Sequence, residues 1–283
     1  MIKSFLTNRL NRRSLIAIFA ALAVIGSGTV VYATHSWGSY HWAQTSNPFT
    51  LKLGDNVSSI WDGYLSEASS DWSVSSSTLL GTSIVAGGTN NTKGKLTPKN
   101  CVPTSGRVEV CNAKYGSTGW LGVAQIWANG SHIVQGTAKM NDTYFNTQKY
   151  NTPAWRRLVM CQEVAHTFGL SHQDENFSNI NLGTCMDYTD DPDGTIKGQL
   201  SNEHPNIHDF DQLALIYAHL DTSATLGAEA PSAQGKSGHA PADVSEPGEW
   251  GRVLRRDGNG RPSHYERDLG NGQKVFTFVF WAD

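Results

Sequence analysis

An α+β arrangement is what this 283-residue chain predicts, on three observations. Segments with strand-like apolar alternation crowd positions 49 to 139. Capped helical patterns begin at Thr152 and Asn206. A further strand-rich stretch closes the chain. With 39% hydrophobic and 17% charged residues, 28 Gly and 9 Trp, the composition is that of a folded, aromatic-rich protein, without the signature of global disorder.

The first 33 residues read as a targeting segment. Lys3, Arg9, Arg12 and Arg13 form a basic region, Leu15 to Val31 is an apolar run, and Val31, Tyr32 and Ala33 resemble a small-residue cleavage site. Secretion to the extracellular space is the expectation. The alternative is an uncleaved N-terminal membrane anchor facing outside, for which 17 residues interrupted by Gly26, Ser27 and Gly28 are marginal. The chain holds 22 Lys+Arg against 25 Asp+Glu, and the leader takes four of the basic residues and no acid. No basic patch remains outside it, which argues against nucleic-acid binding.

Residues 35 to 47 read as an aromatic-rich irregular start. Phe49 to Leu53 alternates as a strand does, and Ser58 to Ser69 reads as a helix with Ser58 and Ser59 as cap candidates. Leu79 to Ala86 suits a strand and Gly87 to Lys99 a polar loop. Arg107 to Cys111 and Leu121 to Trp127 follow as strands, and Asn129-Gly130 is a hairpin turn returning through His132 to Lys139. Thr152 is a good N-cap with Pro153 at the first helical position, opening a core helix. Asp190 to Gly194 is an acidic turn, a solvated loop or a calcium site. Asn206 caps a final helix to His219. Residues 222–248 are Ala/Ser/Gly/Pro-rich and linker-like. In 249–283, Arg252 to Arg256, Ser263 to Asp268 and Lys274 to Trp281 read as a small β-rich tail with Gly-Asn-Gly turns. Thirty-five residues rarely stand alone as a domain, so the tail is expected to dock on the preceding body or to bind a ligand.

Cys101, Cys111, Cys161 and Cys185 make an even count in an exported chain, which suggests two disulfides. Of three connectivities, Cys101–Cys111 is favoured because the two are near in sequence and bracket a Pro/Gly turn, leaving Cys161–Cys185. No C-x-x-C pair is present to suggest a cysteine zinc site.

The chemistry concentrates in Gln162 to Asp174, which spells Q-E-x-x-H-x-x-G-x-x-H-x-D. Residues four apart share a helix face, so Gln162 and His166 can point at one ion, with Glu163 beside it as a proton acceptor. Gly169 would let the backbone leave the helix at positive φ and bring His172 round from another direction. The stretch resembles the H-E-x-x-H-x-x-G-x-x-H signature of the metzincin zinc metallopeptidases, with glutamine at the first ligand position. Downstream, Met186 and Tyr188 resemble the family's methionine turn and its following tyrosine. The two segments cover roughly 27 positions of the chain.

The resemblance, closest to the matrixin-like members, implies a catalytic domain over 34–221 with a mixed twisted β-sheet, an active-site helix, a Met-turn and a C-terminal helix. It implies a secreted, monomeric zinc endopeptidase acting on polypeptides, with His166 and His172 as zinc ligands, Glu163 as general base, Tyr188 as oxyanion donor and Met186 as an apolar floor. The third ligand stays open: Gln162 through its amide oxygen, or Asp174 with Gln162 only orienting water, or no metal at all. Trp120 to Trp127 is the candidate substrate-pairing edge, against an internal strand as the plainer reading. Cys161–Cys185 would clamp the site helix to the methionine turn. The rival function is a catalytically impaired extracellular binding protein for polysaccharide or matrix, motivated by the tryptophans and by Gln162. A self-inhibited zymogen would need a device other than a cysteine switch, since the first cysteine is Cys101.

Overall fold

A long mixed sheet organises the chain. In the computed structural model, which describes residues 34–73, 79–88, 100–227 and 246–282, its strands are β1 (His41–Trp42), β2 (Phe49–Asn56), β3 (Leu80–Ala86), β4 (Val108–Ala113), β5 (Trp120–Asn129), β6 (His132–Asn141), β7 (Arg252–Arg256), β8 (Pro262–Gly270) and β9 (Gln273–Trp281). The order across the sheet is β3-β2-β4-β6-β5-β9-β8-β7. The β3-to-β6 part is parallel; from β6 onward every pairing is antiparallel. The two-residue β1 adds in parallel to the start of β6, so the expected irregular start contains a strand. The proposed leader, most of the polar loop after Gly88 and most of the linker lie outside the described residues.

Four α-helices, α1 (Asp62–Asp71), α2 (Asp142–Phe145), α3 (Pro153–His166) and α4 (Ile207–Ile216), and a 3-10 turn at Pro247–Glu249 complete the described elements. The α3 start is as expected: the Thr152 side chain accepts from Trp155 N and Pro153 occupies the first turn. α4 opens on an Asn206–Asp209 capping box. α1 begins later than Ser58. The Ser58 amide donates to Asn112 Oδ1 at 2.6 Å and its hydroxyl accepts from Asn112 Nδ2, so the expected cap is engaged by β4 instead. α3 packs on β5, β6 and α1 and is buried along nearly its whole length.

The tail does not stand apart. β9 pairs with β5 from Asn129↔Gln273 to Trp120↔Trp281, and β8 and β7 extend the sheet beyond it. Phe276, Phe278 and Phe280 join the main core alongside Trp37, Leu158, Phe168 and Tyr188. The other face of β5 and β9 carries a second cluster around Trp120, Val123, Trp250 and Val279. β5 is therefore an internal strand, and the expectation of a free substrate edge at Trp120–Trp127 is corrected: the partner β9 lies about 150 residues away in sequence. β7, at the sheet's outer limit, is exposed at all five residues and carries three arginines, a charged edge that resists further pairing.

Candidate metal centre

The predicted residues meet where α3 ends. Gly169 adopts φ +104°, and a Cβ there would approach Tyr40 O at 2.8 Å, so only glycine allows the turn that returns His172 towards His166. The two imidazoles then lie edge to face with centroids 4.5 Å apart. His166 Nδ1 faces Leu170 O at 2.8 Å and His172 Nδ1 faces Glu175 Oε1 at 2.6 Å. With Nδ1 donating in each ring, Nε2 is left with a lone pair in both, and neither Nε2 has a hydrogen-bond partner. Burial lowers the proton affinity of both rings, His166 well below the ordinary imidazole value; for His172, Glu175 opposes the shift in part. Neutral imidazoles are the form that binds metal.

Gln162 lies one helical turn before His166 on α3. Its Nε2 donates to Cys185 O at 2.7 Å, which turns Oε1 the other way, and that oxygen is buried without a partner. The Cys161–Cys185 disulfide forms, so the carbonyl that orients Gln162 belongs to a residue bonded to the side chain just before it. Cys101–Cys111 forms as well. Asp174 is placed differently: its Oδ1 accepts from Asn176 N and Asn179 Nδ2, within its own loop. Of the two third-ligand candidates, Gln162 is the one that offers a buried unpartnered oxygen.

Glu163 is fully buried, with the Ala124 backbone of β5 beside its carboxyl. Burial pushes its pKa well above the usual carboxylate range. Gly122 on β5 makes the close approach possible, since a Cβ there would lie 2.4 Å from Glu163 Oε1. Met186 is fully buried in the main core, its amide held by Thr184 Oγ1 at 3.0 Å. Gln173 N donates to Met186 O and Tyr188 N to Asp174 O, so the segment after His172 is laced to the 186–188 turn.

The tail covers this cluster. Phe278 stacks on His166 with centroids 4.2 Å apart, and His264 stacks on the far face of Phe278 at 4.0 Å. The Tyr188 hydroxyl donates to Val279 O at 2.7 Å, and Phe280 lies against the Tyr188 ring. Burial, with a smaller contribution from His172, lowers His264 to about 3. Glu175 would be raised by burial, but His172 and Arg255 hold it below its ordinary value, and Ser263 Oγ donates to its second oxygen. Sequence reading missed Glu175, although a carboxylate three residues after a ligand histidine is a recognisable orienting partner. It also missed His264 and Phe278, which carry no local signal.

The acidic turn is not built for calcium. Asp191 accepts from Ile196 N and Lys197 N, Asp193 from Thr195, and Asp190 pairs with Lys197, so its carboxylates are engaged within the turn. Among the described residues the two His/Asp groups compact enough to hold an ion lie elsewhere: His35, His208 and Asp209, and His41, His219 and Asp221.

No protein-family model matches the chain, and no curated protein does. Among solved structures it is similar to high choriolytic enzyme 1, a hatching enzyme zinc-protease from Oryzias latipes (Medaka fish). The identity is 10% and the TM-score 0.34, over 64% of this chain and 96% of that one. A likeness that loose carries no argument about fold or activity.

Proposed function

We propose that this chain is an exported zinc-dependent endopeptidase whose cleft, in the conformation described, is filled by its own C-terminal strand. The observation that carries the reading is a set of three buried lone pairs without protein partners, Gln162 Oε1, His166 Nε2 and His172 Nε2, on the stretch that also carries the buried carboxyl of Glu163. One amide oxygen and two imidazoles leave a fourth position open, as a catalytic zinc requires. When bound, zinc supplies Lewis acidity that polarises a carbonyl and makes water a nucleophile near neutral pH.

The chain's own groups do the rest. Glu163 takes the proton of the attacking water and returns it to the leaving amine. Glu175 holds the His172 ring in orientation and tautomer. The Tyr188 hydroxyl, which here donates to the carbonyl of Val279, is the donor for a scissile carbonyl as its oxygen gains charge. Phe278 of β9 covers His166, so access of a peptide to the site requires β9 to yield.

A second reading keeps the metal and drops the chemistry. Its specific support is that Phe276, Phe278 and Phe280 are buried core residues, so displacing β9 exposes three aromatic rings. On that reading the chain is a catalytically impaired extracellular binding protein. One experiment separates the two: cleavage of casein and of quenched peptides by the purified zinc-loaded chain, with and without 1,10-phenanthroline, beside Glu163→Gln and Phe278→Ala. The peptidase reading expects chelator-sensitive cleavage, faster in Phe278→Ala and absent in Glu163→Gln. No cleavage by zinc-loaded Phe278→Ala, with retention on insoluble glycan, establishes the second reading.

A further inference from the structure

A second cluster of ligand atoms lies away from the site just described. β1 and β6 pair with His41 opposite His132, and the segment after α4 brings His219 and Asp221 against them. His219 Nε2 lies 3.1 Å from His41 Nε2. His132 Nε2 lies 3.1 Å from Asp221 Oδ1, His41 Nε2 3.4 Å and His219 Nε2 3.8 Å from that same oxygen. Three donor atoms, two of them imidazole Nε2, thus form a group compact enough to hold an ion, and His132 approaches it through Asp221.

The spacing within the group of three suits a small ion. Zinc–nitrogen bonds of about 2.0–2.1 Å put neighbouring ligand atoms about 3.3–3.4 Å apart, and the three separations within the group, 3.1, 3.4 and 3.8 Å, bracket that value. The outer partners are in place as well. His41 Nδ1 faces Ser39 O at 2.8 Å, which leaves its Nε2 lone pair directed at the cluster. Gln44 N donates to Asp221 Oδ2 at 3.1 Å, and Asp221 N to Gln44 O at 2.8 Å, so the carboxylate is fixed before any ion arrives. His41 is buried, whereas the His132 and His219 side chains are about a third and a half exposed, which leaves an entry path.

We propose that His41, His219 and Asp221 form a zinc site that ties β1 to the segment following α4, with His132 at the start of β6 bonded to Asp221 beside it. Nitrogen-rich coordination with a single carboxylate selects zinc over calcium or magnesium, which take oxygen ligands. Three protein ligands leave the fourth position to water, and the ion would join segments far apart in the sequence. It does not depend on Gln162, His166 or His172 holding metal. The rival is a network of protons, with His219 donating to His41 and His132 to Asp221, which fills the same contacts without an ion.

The test counts zinc on the full exported chain. Chelator-stripped wild type and a His132→Ala/His219→Ala double variant, both substitutions at partly exposed positions, are dialysed against zinc and assayed for bound metal and for melting temperature. The variant is expected to bind one equivalent fewer than wild type and to lose a corresponding part of the zinc-induced rise in Tm. Anomalous diffraction at the zinc edge from wild-type crystals is expected to give a peak bonded to His41 Nε2. Equal zinc content in the two proteins, or crystals grown in zinc with no peak there, overturns the proposal in favour of the proton network.

Discussion

Gln162 is the residue at which the resemblance to a zinc peptidase is weakest and the local geometry most informative. Its amide nitrogen is taken by Cys185 O, and only the oxygen remains for a ligand. An imidazole is the better donor for zinc. Gln162→His is therefore expected to tighten zinc binding by about tenfold or more, measured by competition with a chromophoric chelator; an unchanged affinity would show that position 162 is not a ligand. Asp187 offers a test through pH. It is buried, its Oδ2 accepts from Leu182 N and Asn202 Nδ2, its Oδ1 has no partner, and burial raises its pKa from 3.8 to about 6. A carboxyl that holds its proton more tightly when folded favours folding most at low pH, and this contribution falls away as pH rises from about 4 through 6. Asp187→Asn should remove that slope. Its stability relative to wild type, from urea unfolding at pH 4.5 and 7.5, should rise with pH by on the order of 2 kcal/mol. A difference that is flat or falls with pH would contradict the assigned burial effect.

At the scale of elements, α3 and its turn were legible because their determinants are local: Thr152 and Pro153 at the start, Gly169 at the end, and ligand candidates four and ten residues apart. The hairpin at Gly130 and the three tail strands were legible for the same reason. What the sequence could not disclose is partnership. Nothing local to Phe276–Phe280 says that its neighbour is β5, since pairing across so long a separation leaves no trace in either segment's pattern. The start of α1 was misread for a related reason, its serine cap having been recruited by Asn112 from another strand. The same blindness hid the cover over the candidate site, because Phe278 and His264 reach it only through tertiary packing. Phe278→Ala should destabilise the fold by about 3–5 kcal/mol in urea unfolding, as other buried phenylalanine truncations do. It should also speed zinc uptake at the His166/His172 pair. A small loss of stability with unaltered uptake would mean that the ring neither supports the core nor shields the histidines.

For the whole molecule, the two disulfides tie regions the sheet leaves separate. Cys161–Cys185 joins α3 to the methionine-containing turn across 24 residues. Replacing both cysteines by alanine should lower stability by about 2–4 kcal/mol, through the larger freedom of the unfolded chain, and should loosen the carbonyl that orients Gln162. Calorimetry and a zinc titration read the two effects separately. The β5–β9 pairing carries a different consequence, one of kinetics. Joining Trp120 to Trp281 closes a loop of about 160 residues, a slow event compared with forming the β5–β6 hairpin. Until that closure β5 offers an apolar, unpaired border to any neighbouring chain. Refolding from denaturant should therefore lose yield steeply as protein concentration rises, with light scattering developing before the late strand has docked.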